Sequence, residues 1–311
     1  MKKKPFFRGP LAAALAKVYP SHTPTTIVRS LATDLLYQTG VRATGPPFDP
    51  FTIAKALNVA VSYESIEAEA VFSDDAKGVG KIILRKPTRA ESQSYRRRLN
   101  FTLAHEIGHC VIRRTLIGFF PTSQFKNDDP EEESLCNSFA EELLMPTGTI
   151  SKDLFDGGFA PDVLIDLTHK YQVSLRSLLC RATRLGRGNL VSAIWTKQDG
   201  TCSPDWTSPL SYKRMMLCDT GNTTVERAFT SRDMQCGRDD LILDGKRMKW
   251  QSHSKSLSQN YVLTVMHRTS DKSLNFFPKN QDLENRNFAS GARVSKPTQQ
   301  ILPFGNLKEE Y

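Results

Sequence analysis

The sequence lacks the features that mark several large classes of protein. It contains no apolar run near the roughly 20 residues needed to cross a bilayer, which excludes a helical integral membrane protein. Its six cysteines form no C-x-x-C pair, so a disulfide scaffold and a zinc ribbon are also excluded. The apolar stretch at residues 11–16 is short for a secretory signal. We therefore expect a cytoplasmic protein with reduced thiols and no membrane partner.

Net charge and composition exclude few classes of protein, but they indicate which parts of the chain are disordered. The net charge of +9 is spread thinly along 311 residues, and Arg96-Arg97-Arg98 form a compact basic cluster. This balance allows weak attraction to acidic partners without requiring nucleic acid. A hydrophobic fraction of 39% is low for a wholly globular chain. We predict a disordered basic arm at residues 1–24 and a disordered tail at residues 269–311.

Between these ends the patterning predicts an α+β protein. We expect three folded parts, at residues 25–150, 151–188 and 189–268. In the first part, a β-hairpin at residues 70–85 precedes an apolar helix at residues 101–114, with Asn100 as its N-cap. The second part is helix-turn-helix-like, with Ser174 as the cap of its second helix. The third part is mixed and rich in predicted strands.

The strongest motif is His105-Glu106-Ile107-Gly108-His109, an H-E-x-x-H on the apolar helix. Positions i and i+4 share one helix face, so both imidazoles can reach a single Zn²⁺. Glu106 can contact a metal-bound water but cannot be a third ligand, which suits a general base. Gly108 weakens the helix, so another backbone or a ligand should approach closely there. The alternative is a core helix with two hydrogen-bonded histidines, which buries costly polar groups.

A catalytic zinc also needs a third protein ligand, and a later acidic helix offers several. The candidates are Glu131, Glu132, Glu133, Glu141 and Glu142. Glu133 lies in line with Asn137 and Glu141, beside the predicted buried face of this helix. Glu133 is therefore the first candidate and Glu141 the second. We expect Glu131 and Glu132 to lie in solvent at the start of the helix.

Two blocks, at residues 99–109 and 133–146, resemble the ImmA/IrrE family of zinc metallo-endopeptidases in order and spacing, and the resemblance extends over residues 27–188. It implies a zincin-like domain with its active-site helix beside a small sheet. It also implies that His105, His109 and Glu133 bind zinc and that Glu106 is the catalytic base. Mn²⁺ or Fe²⁺ would suit the same ligands.

The resemblance further implies a cytoplasmic endopeptidase that regulates transcription or a stress response. Its protein substrate would be a helix-turn-helix repressor. Longer members of the family continue with a helix-turn-helix-like region and a GAF-like domain, which residues 161–186 and 189–268 match in order and size. The second of these would be a sensory domain.

Two other functions are consistent with the residues. One is a catalytically silent, zinc-containing sensor or binding module that acts through residues 189–268. The other is a DNA-binding regulator that uses residues 161–186, where Arg176, Arg181 and Arg184 could contact phosphates or simply face solvent.

Several residues near the motifs receive smaller roles. The strand at residues 77–85 could pair with an extended substrate or be an ordinary strand of the sheet. Cys110 and Cys136 are expected to be small buried residues, and His253 and His267 to be surface residues. His169 and Tyr171 are candidates for the group that stabilises an oxyanion.

Overall fold

The computed structural model describes residues 9–74, 80–87, 93–117, 119–120, 129–186, 189–208, 215–218 and 222–268. No helix in this part of the chain is long and apolar enough to span a membrane. The predicted tail at residues 269–311 lies outside the described residues. The predicted α+β class agrees with the observed mixture of helices and sheets.

A small three-stranded sheet precedes the motif helix. Its strands are β1 (Ala60–Glu64), β2 (Ala70–Asp74) and β3 (Gly80–Arg85), in the order β1-β3-β2. The predicted hairpin is present, because β2 pairs antiparallel with β3, while β1 pairs parallel with it. β3 is thus the central strand and has no free edge for a substrate, so of the two alternatives it is an ordinary strand of the sheet. The free edge on the side of the hairpin belongs to β2.

The two motif helices are α4 (Gln93–Leu116) and α5 (Pro130–Leu144). α4 begins seven residues before the predicted N-cap, so Asn100 lies inside the helix and donates from Nδ2 to the Gln172 carbonyl at 3.2 Å. α5 crosses α4 at Gly108, where an added Cβ would lie 3.3 Å from the Cα of Cys136. The absence of a side chain at Gly108 therefore lets the two backbones approach closely.

The predicted disordered arm is wrong for residues 10–18. These residues form α1 (Pro10–Val18), which buries Leu11 and Leu15 against α2 (Pro24–Gln38) and α5. The Gly9 backbone N–H donates to Glu131 Oε2 at 2.5 Å and joins the start of α1 to α5. The sequence Leu-Ala-Ala-Ala-Leu-Ala has high helix propensity and gains a buried face through this contact. Residues 1–8 lie outside the described part.

The remaining elements of the first part complete the helical layer. They are η1 (Val41–Thr44), α3 (Pro50–Ala56), α6 (Thr147–Gly157), α7 (Pro161–Tyr171) and α8 (Leu175–Leu185). α7 and α8 are the two helices predicted around a short turn. Gln172 adopts the left-handed conformation with φ 51°, and Ser174 Oγ caps α8 by accepting from the Ser177 N–H at 3.1 Å.

A six-stranded antiparallel sheet follows. Its strands are β4 (Leu190–Gln198), β5 (Thr201–Ser208), β6 (Met215–Leu217), β7 (Gln235–Leu243), β8 (Lys246–Ser258) and β9 (Tyr261–Arg268), in the order β5-β4-β9-β8-β7-β6. One face packs Trp195 and Trp250 beneath α9 (Thr224–Thr230) to form a separate hydrophobic core. α7 and α8 also pack against this sheet. β4 and β9, the first and last strands of this sheet along the chain, are neighbours within it.

Candidate metal centre

The helix crossing at Gly108 brings three predicted ligands together. His105 Nε2 lies 3.0 Å from Glu133 Oε2, and His109 Nε2 lies 3.2 Å from Glu133 Oε1. The two Nε2 atoms are 3.2 Å apart. These three side chains form the metal group, a cluster whose ligand atoms could share one ion. Glu141, the second candidate for the third ligand, is not in this group.

Hydrogen bonds on the far side of each imidazole fix its tautomer. His105 Nδ1 donates to Asn137 Oδ1 at 3.0 Å, and His109 Nδ1 donates to Glu132 Oε1 at 2.8 Å. With a proton on each Nδ1, both Nε2 atoms of the neutral rings present lone pairs to Glu133. Such backing contacts orient the histidines in metal sites and raise their basicity as ligands.

This donor set fits a small divalent cation. Tetrahedral zinc bonds of about 2.0–2.1 Å place neighbouring ligand atoms about 3.3 Å apart, close to the 3.0–3.2 Å separations observed between the ligand atoms of His105, His109 and Glu133. Lone pairs and a carboxylate at these distances repel one another unless a cation or a proton lies between them. Burial lowers the pKa of His105, and the neighbouring His109 adds to this effect. A low pKa favours the neutral imidazole that a metal requires.

Glu106 lies beside this group and is buried, with 9% of its surface exposed. Burial raises the pKa of its carboxyl group, and the nearby Glu133 raises it as well. The nearby His109 and Arg113 and a hydrogen bond from the Phe72 backbone N–H oppose the shift. The carboxylate is therefore placed between α4 and the edge strand β2, with raised proton affinity. Nothing in the helix periodicity alone indicates the contact with β2.

Glu132 does not lie in solvent, contrary to expectation. Its side chain is 2% exposed, and its Oε1 accepts from both His109 Nδ1 and Arg113 Nε, the latter at 2.9 Å. These two contacts lower the pKa of Glu132 against the opposing effect of burial. Because Glu132 and Glu133 are adjacent on a helix, they point about 100° apart and can contact opposite sides of His109.

The remaining candidates for the third ligand form contacts outside the metal group. Glu141 and Glu142 are both buried and pair with Arg184 and Arg181 of α8, respectively. Glu131 accepts from the Gly9 N–H. These contacts account for three of the five acids that the sequence offered as ligands.

The cysteines near the motifs are buried as expected, at Cys110 and Cys136. Cys136 also forms a group with His109 and Glu132 that has metal-like spacing. Burial and three surrounding carboxylates raise the pKa of the Cys136 thiol far above its usual range.

The residues suggested for oxyanion stabilisation are engaged elsewhere. Tyr171 donates its hydroxyl to Asp153 Oδ2 at 2.6 Å. His169 Nδ1 lies 2.8 Å from Arg97 Nη2. Neither contact involves a member of the metal group.

The expectation that His253 is a surface residue is wrong. It lies in β8 with 1% exposure, its ring stacked on His267 of β9 with centroids 5.8 Å apart. Its Nδ1 lies 3.2 Å from Cys236 Sγ. Burial and then His267 lower the pKa of His253 to about 4. Cross-strand pairing decides this placement, which the polar sequence around His253 conceals.

Comparison with known families agrees with the class that this site defines. Residues 54–183 match the model of the peptidase M78 family, described as the IrrE N-terminal-like domain. Residues 54–183 therefore form an IrrE N-terminal-like domain, which confirms the resemblance to the ImmA/IrrE family seen in the sequence. No curated protein matches the chain significantly. A solved structure of a Mycobacterium tuberculosis transcriptional regulator is similar over 83% of this chain and 79% of that one, with 12% identity and a TM-score of 0.45.

Proposed function

We propose that this protein is a zinc-dependent endopeptidase in which His105, His109 and Glu133 bind the metal and Glu106 is the general base. The convergence of the three ligands, with separations of 3.0–3.2 Å, is the observation that carries the proposal. The peptidase family of residues 54–183 supports the same reaction class. A silent structural zinc site would have no need of a buried carboxylate beside the ligands.

In the proposed reaction, the bound zinc and Glu106 have different roles in peptide hydrolysis. A bound zinc would polarise the scissile carbonyl and make its water more acidic. Glu106 would take the proton from that water and pass it to the leaving amine. Its burial suits this role, because a raised carboxyl pKa increases its strength as a base and lets it hold the proton before transfer. The Phe72 N–H would hold the carboxylate in place.

The position of β2 indicates how a substrate would lie. β2 is an edge strand, and its Phe72 backbone contacts the general base. An extended peptide that pairs with this edge would place its backbone beside Glu106, with register fixed by main-chain hydrogen bonds. Extended segments are the natural substrates of such an edge, so a folded repressor would have to expose one.

We further propose that the substrate is a helix-turn-helix repressor whose cleavage changes transcription or a stress response in the cytoplasm. This part of the proposal rests on the family. The six-stranded sheet of residues 189–268, whose first and last strands are neighbours, supports its assignment as a GAF-like sensory domain. Its separate core allows it to respond to a signal as a unit.

The test is co-expression with the helix-turn-helix repressor encoded nearest to the gene. We expect a shortened repressor with the wild-type protein and an intact one with Glu106→Gln, which should retain the zinc and the fold. EDTA should prevent cleavage by the purified wild-type protein. Glu131→Gln is the matched control, because it removes an acid from α5 away from the ligands. A Glu106→Gln variant that cuts the repressor, or that preserves the cellular phenotype, would favour the silent sensor instead.

The contacts of α8 argue against DNA binding by residues 161–186. Arg181 is 1% exposed and bonds Glu142. Arg184 pairs with Glu141, and Arg176 pairs with Asp205 at 2.9 Å. With Arg181 buried, α8 keeps only Arg176 and Arg184 for phosphate contacts, which is a weak basic face for nucleic acid. An electrophoretic mobility assay with mixed duplexes at low salt should therefore show no shift.

A further inference from the structure

A shallow, partly open polar cleft lies along α4, on the side of the metal group nearer the start of the helix. It is lined by Glu69, Arg85, Tyr95, Arg98, Leu99 and Thr102. The four lining residues from α4 follow one another at helical spacing, and Thr102 is three residues before His105 and four before Glu106. They share the face of the metal ligands and lie about 5 to 15 Å from His105 towards the start of the helix, with Arg98 about 10 Å away.

The second wall of the cleft belongs to the edge strand. Glu69 immediately precedes β2, and its carbonyl accepts from the Arg85 N–H at 2.9 Å at the end of β3. Phe72, three residues later, contacts the general base. With about 3.3 Å per residue, roughly 10 Å of strand separates these two points. A peptide paired with β2 at Glu106 would therefore reach the cleft two or three residues from its scissile bond.

The charges of the cleft define what it would bind. The Glu69 carboxylate is shared by two guanidinium groups, at 3.5 Å from Arg85 and 3.6 Å from Arg98. Both separations exceed hydrogen-bond length, and all three side chains are more than 40% exposed. Such exposed pairs are weak and easily exchanged. Two arginines against one glutamate leave the lining with a net positive charge, suited to a second carboxylate.

We propose that this cleft is a specificity subsite that receives an acidic side chain of the substrate, two or three residues from the cleaved bond. The inference rests on the proposed endopeptidase function. Arg98, with Arg85 beside it, would donate to the substrate carboxylate in place of Glu69, and the ring of Tyr95 would cover the aliphatic part of the side chain. Guanidinium groups bind carboxylates through parallel N–H donors, which gives the subsite its selectivity.

The test begins with the cleavage of a proteome-derived peptide library by the zinc-loaded protein, with cut sites determined by mass spectrometry. We expect Asp and Glu to be enriched two or three residues from the cut on one side. Arg98→Glu should shift that preference to Lys and Arg. Arg96→Glu is the matched control, because Arg96 is an exposed residue of the same helix that lies outside the cleft. This variant should leave the preference unchanged.

A pair of peptides that differ only by Glu or Gln at the enriched position then measures the interaction. The wild-type protein should cut the Glu peptide with a kcat/KM about tenfold higher, mainly through KM. In Arg98→Gln that ratio should fall towards one, with zinc content and melting temperature unchanged. Cleavage without an acidic preference, or a preference that survives Arg98→Glu, would overturn the subsite alone. A wild-type protein that cuts no peptide beyond those cut by Glu106→Gln would overturn the endopeptidase function and the subsite together.

Discussion

Glu132 offers the sharpest test of how this metal centre is built. It is almost fully buried between His109 and Arg113, and it touches no other member of the metal group. Replacing it by glutamine keeps the size of the side chain and one carbonyl acceptor for His109 Nδ1. The change removes the negative charge of Glu132. That charge neutralises Arg113 and makes the His109 imidazole more basic.

The size of the effect follows from these two contacts. Removing the outer partner of a metal-bound histidine typically weakens metal binding 10–100-fold. This range corresponds to about 1.4–2.8 kcal/mol of binding free energy. We expect Glu132→Gln to fall within it, because the lost carboxylate holds the Arg113 guanidinium, only 18% exposed, as well as His109. The adjacent Glu131→Gln should bind zinc as the wild type does.

Zinc affinity can be measured for all three proteins by competition with a chromophoric chelator, with circular dichroism as the check on folding. Peptide cleavage at saturating zinc provides a second reading, which should recover most of the activity of Glu132→Gln. Equal affinity in Glu132→Gln and Glu131→Gln would refute the role assigned to the Glu132–His109 contact. A variant that binds zinc normally but cannot cleave would place Glu132 in the chemistry instead.

Two further predictions concern stability. His253 has a pKa of about 4 in the folded state, against an ordinary value near 6.5 in the unfolded state. Between these two pH values the unfolded state binds one proton more than the folded state. The free energy of unfolding should therefore rise with pH by up to about 3 kcal/mol across that window. Urea titrations followed by tryptophan fluorescence should show this gain in the wild type and a smaller one in His253→Gln; equal slopes would contradict it. Glu142→Leu should lower the free energy of unfolding by about 3–5 kcal/mol, because it leaves Arg181 buried without its carboxylate partner, and adding Arg181→Met should recover much of that loss. Circular dichroism during urea unfolding measures both effects. If the losses of the two single variants simply add in the double variant, the pairing is contradicted.

Local sequence patterns predicted the parts of this protein that depend on helix and strand periodicity. His105 and His109 share a helix face by spacing alone, and Glu133 was placed ahead of Glu141 by its position beside an apolar stripe. The hairpin before the motif helix and the two helices around Ser174 follow from the same kind of signal. In each case the relevant neighbours are close in sequence.

Features that depend on contacts between distant segments were not predictable in this way. Glu132 was assigned to solvent because three consecutive acids at a helix start usually face water, yet Arg113 and His109 from another helix surround it. α1 was taken for a disordered arm because its partner surface on α2 and α5 is not visible in its own composition. The sequence leaves open whether β3 is an edge strand, because the order of the sheet depends on where β1 pairs.

The geometry of the metal group depends on a helix that is fixed at both ends. At its start, α5 carries Glu132 and Glu133, which contact opposite sides of His109. At its end, Glu141 and Glu142 bind the two arginines of α8, and α8 packs against the first two strands of the six-stranded sheet. The H-E-x-x-H motif specifies two ligands on α4, but the position of the third is set by the packing at Gly108 and by these terminal ion pairs. A continuous set of packed contacts therefore joins Glu133, the proposed third ligand, to the C-terminal sheet.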